Sequence, residues 1–472
     1  MRFIPLMKKW LIFTGHASLV VTLILSIVFF KERVFFVDPG TQLFEMINTE
    51  GFRVFVNRYS MIINQALPLL CIKAGLPLKY IVLSYSVSFI LIYYACFLIC
   101  VYGLKNVPAG LSIALAPIVI RAAFGHSISE TWLGLAYGAV FFALIAAYPH
   151  MKTIIKRALT YAGILLMVFV NYYIHQGTLF TMIFSIGFLF FYEKKFRSPH
   201  YYVTALLVLI PFIYNFLFPS HVHDAGFFSN LKGSWRMIAK LNHLPLFIYT
   251  KKYFWGIYIL PVLLAFIALP WYIKNKKIPV YAFATSFTFF YFCIACIAFY
   301  KGDSDFALES RLIPTGFFII ILFSQMVIST SKKIYPVALI IVMIFSFGNL
   351  VVRVKDYHSS RIAYYKNVFQ KLEKYPEKKF FIRQPAGVPA IVNSWGVSTE
   401  TLFLSSMENP DNSKTFVFVE HDFDGEKGPD TWPCTFLWVS WWLYYNEDFL
   451  SKKYFHLNCS SYREIPYEEV AP

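Results

Sequence analysis

Apolar residues come in long unbroken runs over the first three-quarters of the chain and in short interrupted ones after that. The long runs lie near 10–30, 80–103, 107–124, 131–148, 158–174, 178–192, 201–219, 254–273, 279–300, 312–330 and 334–352. A membrane-spanning helix needs about 20 apolar residues, so the pattern predicts a polytopic α-helical membrane protein of about eleven transmembrane helices. The first run exceeds a signal-peptide core, and "VFFKERVFF" follows it with no small-residue cleavage site, so it reads as a retained helix. The fifth and sixth runs are short and joined by "HQG"; they fit two spans or a re-entrant pair.

Two connections, 31–79 and 220–253, are too long for turns and too mixed for spans. In the first, "LFEMI", "FRVFVNRY" and "MIINQALPLLCIKAGL" carry sparse charges at roughly helical spacing. That spacing predicts two interfacial helices, punctuated by Gly51, Pro68 and Pro77, with Arg53, Arg58 and Lys73 toward lipid headgroups and the apolar residues toward lipid. In the second, Trp235, Tyr249, Tyr253 and Trp255 predict an aromatic belt at the membrane interface. Beyond the spanning region 1–355, the segment 356–472 changes character. A helix is predicted over 360–375, followed by the β-like runs "KKFFIRQ", "VPAIVNSWG" and "KTFVFVEHD", which together suggest a small α+β domain. Its "CTFLWVSWWLYYN" reads as aromatic core, or as a surface on which sugar rings stack.

Composition agrees with membrane residence. Hydrophobic residues make up 58%, charged residues only 15%, and 51 residues are Phe. The net charge of +17 does not point to nucleic acid, because the basic residues sit in short loops between apolar runs, where they act as topology signals and contact lipid phosphates. With the N-terminus inside, the cytoplasmic loops carry 15 Lys/Arg and the short loops opposite carry three, which places the C-terminal domain outside. Of the ten acids in 1–355, nine fall on the outer side. That asymmetry fits ordinary solvation of outer loops, or chemistry at the outer face.

The stretch "DPGTQLFEMINTEGFRVFVNRYSMIINQALPLLCIKAGLPL" sets a carboxylate, Asp38, just past the first helix. "HSISETWLGLAYG" sets His126 and Glu130 at an outer helix mouth, and "DSDFALESRLIPTGFFII" sets Glu309 and Arg311 at the start of a late helix. This layout resembles the GT-C glycosyltransferases of bacteria, polytopic enzymes that take sugars from polyprenyl-phosphate carriers at the outer face of the inner membrane. The chain departs from their pattern in having no adjacent Asp-Glu pair after the first helix. The resemblance implies transfer of a sugar to a glycan, lipid or protein acceptor of the cell envelope.

Such a transfer needs a base, cations for the departing phosphate, and an apolar groove for the isoprenoid. Asp38 is the candidate base, since partial desolvation at the helix exit raises a carboxylate's pKa; it is equally placed to cap the helix that "DPGTQ" begins. Glu130 is a second candidate catalytic acid, with His126 one turn away. Arg311 leads the phosphate-binding candidates, joined by Arg53, Arg58, Lys301 and Arg121. "HVHD" (His221, His223, Asp224) offers a short set of candidate ligands for a divalent metal. Walker, GxSxG, HExxH and dinucleotide motifs are absent. Cys434 and Cys459 both lie in the outer domain and are the candidates for a disulfide. A transporter or flippase for a lipid-linked or small solute is the alternative; inverted repeats and midplane charges would mark it, and the charges here gather at one face.

Overall fold

The computed structural model describes residues 3–36, 38–54, 57–119, 124, 130–175, 177–218, 234–301, 308, 311–330, 334–383, 396–419, 434–439 and 443–471. The chain is predominantly helical. Its helices are α1 Phe3–Val28, α2 Phe30–Val34, α3 Asp38–Thr49, α4 Ile62–Lys73, α5 Leu78–Leu98, α6 Val107–Val119, α7 Glu130–Ala147, α8 Ile154–Tyr172 and α9 Thr178–Glu193. They continue with α10 Pro199–Leu217, α11 Pro245–Lys252, α12 Ile259–Lys274, α13 Ile278–Ala298, α14 Ile313–Ser329, α15 Ile334–Arg353, α16 Ser360–Leu372 and α17 Val397–Ser406. Proline opens α10 and α11 and sits in the first turn of α13 and α14, where its missing N–H costs nothing.

Among the described residues, six helices are long and apolar enough to cross a membrane: Lys8–Val28, Leu78–Gly103, Glu130–His150, Ile154–Tyr172, Ile278–Ala298 and Ile334–Leu372. Five shorter apolar helices, α6, α9, α12, α14 and the Pro199–Tyr214 part of α10, accompany them. This is a membrane-embedded helical protein. In the span that opens with Glu130, 83% of the apolar window is buried, against 28% in Ile154–Tyr172, so α7 runs through the centre of the bundle and α8 along its lipid-facing rim. Every residue of α6 except Pro108 is buried as well. The end of the bundle where α7 starts is therefore enclosed by protein.

Segment 31–79 folds as helices but not as a lipid-facing pair. Residues Pro39 to Ile47 of α3 are all buried. Phe44 is enclosed by Phe436 at 5.1 Å, Phe455 at 6.0 Å, Phe449 at 6.3 Å and Phe403 at 6.5 Å between ring centroids. The apolar face assigned to lipid is thus covered by the C-terminal segment. In contrast to α3, α4 turns apolar residues outward, with Ile63 and Leu70 exposed beside Lys73. Pro68 lies inside α4 without ending it; Gly75 ends it, at φ +70°, with Leu76 N–H donating to Cys71 O at 3.1 Å. In the second long connection Trp255 is exposed as an interfacial residue should be, whereas Tyr249 is buried and packs on Tyr253.

After α16 come three parallel strands in the order β2-β1-β5: β1 Lys379–Arg383, β2 Thr415–Val419 and β5 Arg463–Pro466. Parallel neighbours need a crossover, and α17 supplies the one between β1 and β2. A hairpin of β3 Thr435–Val439 and β4 Leu443–Asn446 stands beside this sheet. A disulfide joins Cys434 at the base of the hairpin to Cys459. The buried Lys379 pairs with Glu447, tying the parallel sheet to the residue just past the hairpin.

Candidate functional site

Past α1 the chain turns through α2, and α3 opens at Asp38 itself, with Pro39 and Gly40 completing its first turn. The Thr41 hydroxyl donates to the Asp38 carbonyl at 2.9 Å. Asp38 therefore lies inside the first turn, where the helix dipole favours a carboxylate, and does not precede the helix as a cap.

Three other segments bring charges to it. Arg58 immediately precedes the short turn Tyr59–Met61. That turn is fastened to the end of α8: Ser60 N–H donates to Tyr173 O at 3.3 Å and its hydroxyl donates to Val170 O at 2.7 Å. Glu130 is the first residue of α7, and Arg311 stands two residues before α14. Arg58 Nη1 meets Glu130 Oε2 at 2.7 Å, with both side chains largely buried. Glu130, Arg58 and Arg311 are the charged groups that act on Asp38. The Arg311 guanidinium lies 4.4 Å from the Phe299 ring centroid, and its carbonyl accepts the Tyr291 hydroxyl at 2.9 Å.

Asp38 is solvent-exposed by surface area, yet many protein atoms crowd around its carboxyl. That combination describes a group on the wall of a narrow cleft. Burial is the main cause that pushes its carboxyl up to about 6; the Glu130 carboxylate adds to the rise, and Arg58 and Arg311 only partly offset it. A carboxyl titrating near 6 is ionised at neutral pH and basic enough to take a proton from a polarised hydroxyl. The two guanidiniums supply planar donor forks of the kind that grip phosphate oxygens.

The other sequence candidates fall elsewhere. Arg53 pairs with Glu45 at 3.1 Å, and its backbone N–H and carbonyl are both bound by Gln65. It serves the α3 packing, because Glu45 also accepts the Tyr445 hydroxyl from the C-terminal hairpin at 2.9 Å. Lys301 is exposed, its ammonium 5.8 Å from the Tyr300 ring centroid. His126, Glu309, Arg121, His221, His223 and Asp224 lie outside the described residues. Among the described residues no group of three His, Cys, Asp or Glu is arranged to hold a metal ion.

One residue beside Asp38 escapes a reading by charge. Tyr85, fully buried on α5, lies within electrostatic reach of both Asp38 and Glu130 and donates to Gln42 Oε1 on α3 at 2.9 Å. The signal for it is "SYSVS", a polar insert in an apolar run, in which Ser86 accepts from the buried Arg33 at 2.9 Å and Ser88 donates to Asn64 at 2.8 Å.

A small, mostly apolar recess lies between α8, α9 and α10, lined by Val168, Leu179, Met182, Val208 and Phe212, with Asn171, Tyr172, His175 and Thr178 as its polar residues. It shares a wall with the site: the end of α8 that lines it is the end that holds Ser60, two residues from Arg58, and Tyr59 packs edge-on against Tyr173 at 5.5 Å. No protein-family model, curated protein or solved structure matches the chain.

Proposed function

We propose that this protein is a GT-C-type glycosyltransferase of the bacterial inner membrane, with eleven spans, a cytoplasmic N-terminus and the site on the outer face. It takes a sugar from a polyprenyl-phosphate carrier and passes it to a hydroxyl of a cell-envelope acceptor. The observation that carries this reading is the meeting of Asp38 and Glu130 with Arg58 and Arg311 beside a mostly apolar recess. Asp38 accepts the acceptor's proton as its oxygen bonds to the anomeric carbon. The bond from that carbon to the phosphate oxygen breaks, and polyprenyl phosphate departs as an anion. Arg311 and Arg58 balance the charge that develops on that phosphate, and Glu130 holds Arg58 in place through their ion pair.

The test uses the full chain in lipid nanodiscs with a mixed pool of polyprenyl-phosphate sugars and a cell-envelope extract. Mass spectrometry follows free polyprenyl phosphate. Release by the wild type that Asp38→Asn abolishes, with the variant still folded, supports the reading. Failure of the wild type both to release and to bind polyprenyl phosphate overturns it.

A further inference from the structure

A buried cluster outside the cleft grips the peptide that leads into Asp38. Arg361, on α16, is 1% exposed and Glu400, on α17, is fully buried; they pair at 2.5 Å. The same Arg361 nitrogen donates to the Phe35 carbonyl, and its guanidinium lies 4.6 Å from the Phe36 ring centroid. The Tyr365 hydroxyl donates to Glu400 Oε2 at 2.8 Å. Phe35 itself stacks on Phe403, one turn beyond Glu400, with centroids 5.7 Å apart. On the far side of Asp38, a Cβ at Gly40 would stand 3.8 Å from Glu400 Cγ and 3.3 Å from the Val34 carbonyl. The pair therefore grips the peptide before Asp38, and the backbone at Gly40, after it, passes close to Glu400.

A fully buried ion pair is a poor way to gain stability, because apolar residues of like size often do as well. What a planar guanidinium offers is geometry: it can hold a carbonyl and a carboxylate at once and stack on a ring. We infer that Arg361, locked by Glu400, is a positioning residue for Asp38: by holding the Phe35–Phe36 peptide it fixes where the first turn of α3 presents the carboxylate. The inference rests on the reading of Asp38 as the base. It also gives the C-terminal segment a part in the site.

The groups facing Asp38 are Glu130 from α7, Arg58 from the stretch before α4, Arg311 from the start of α14 and Tyr85 from α5. A change at Arg361 leaves all of them in place, so a shift in Asp38's titration reports its position. The experiment labels the full chain in nanodiscs with a water-soluble carbodiimide and glycine ethyl ester between pH 4.5 and 8. Peptide mass spectrometry reads the yield at Asp38, with Asp38→Asn as the blank. In the wild type, labelling falls with a midpoint near pH 6. Arg361→Met should lower that midpoint by about one unit as the freed turn gains water, and Arg361→Lys should restore part of it. If Arg361→Met does not fold, Glu400→Gln, which removes only the lock's charge, decides. An unchanged midpoint in folded variants overturns the inference. Labelling needs no sugar donor, so a shifted midpoint in a protein that transfers nothing would sink the transferase reading and leave the positioning intact. Unshifted labelling in an active enzyme would do the reverse. Where turnover is measurable, kcat should fall in Arg361→Met with KM for the lipid donor unchanged.

Discussion

In the proposed reaction the neighbouring carboxyls Asp38 and Glu130 take different duties, and their surroundings divide them. Glu130 has the Arg58 guanidinium at 2.7 Å and anchors it. Asp38 has two arginines in reach but burial dominates, so its carboxyl is held near 6. A base must be deprotonated to act, so activity is lost as pH falls through that value. The kcat/KM profile for release of polyprenyl phosphate should show an acid limb centred near pH 6, and Asp38→Asn should lower the rate by about 10²–10⁴-fold, the usual worth of a general base. A limb near pH 4 would place the base elsewhere. The Arg58–Glu130 pair makes its own prediction. Removing one partner leaves a largely buried charge unpaired, at a cost of about 3 kcal/mol. Glu130→Leu should therefore lower the melting temperature more than the double variant Arg58→Met/Glu130→Leu does; a double variant less stable than either single one would contradict the pairing. Which residues meet was only half legible here. The helix-exit carboxylate and the helix-mouth acid and arginine stand out because charge at the edge of an apolar run is costly. Nothing in spacing separates Arg58, which reaches Glu130, from Arg53, which serves Glu45.

At the scale of elements, α3 is the piece on which the cleft depends. Its amphipathic pattern was read as a helix lying on lipid, and the same pattern suits a helix covered by protein. The cover comes from far along the chain, with Tyr445 reaching Glu45 across 400 residues, and local periodicity has no access to that. Burial, reinforced by the bond to the Glu45 carboxylate, pushes the Tyr445 phenol up to about 12, so it stays a donor at any physiological pH. Ser451 N–H adds a bond to Asn48 Oδ1 at 2.8 Å. The aromatic run that admitted a sugar-stacking reading supplies Phe436 and Tyr445 to the cage around Phe44. Phe44→Ala should cost about 3–5 kcal/mol, as large aromatic deletions in closed cores do. Its sign is faster hydrogen exchange both in α3 and in the hairpin at 435–446. Exchange confined to α3 would mean that the hairpin does not depend on it. Long apolar helices, by contrast, are legible in these runs nearly to the residue: the run near 334–352 is α15, Ile334–Arg353, and 312–330 is α14, Ile313–Ser329. A helix in lipid is specified by its own apolar length, whereas a helix docked in a crevice is specified by its partners.

For the whole molecule, sidedness decides whether the proposed chemistry is available at all. A nucleotide-sugar donor would meet the protein from the cytoplasm and a lipid-carried one from outside, so the face of Asp38 separates the two supplies. Basic residues cluster at one set of loops, 15 against three, and the helices joined at the crowded face end opposite Asp38, Glu130 and Arg311. The disulfide Cys434–Cys459 lies in the segment assigned to the outside, where an oxidising compartment keeps such a bond closed. Alkaline phosphatase joined after residue 472 should accordingly be active in a bacterial host, and a fluorescent protein joined there by the same secretory route should be dark. A fusion into 194–198 should give the opposite pair. In the same cells, alkylation before and after reduction should find Cys434 and Cys459 protected until reductant is added, while Cys71 reacts throughout if its half-buried thiol is reachable. Reduction opens a loop of 25 residues in sequence separation, and a loop of that size is worth about 3 kcal/mol to a folded domain. Because the hairpin it closes carries Tyr445 to Glu45, the loss should reach α3 and slow the proposed transfer. A phosphatase fusion that is silent at the C-terminus would turn Asp38 toward the cytoplasm and end the case for a lipid-borne donor.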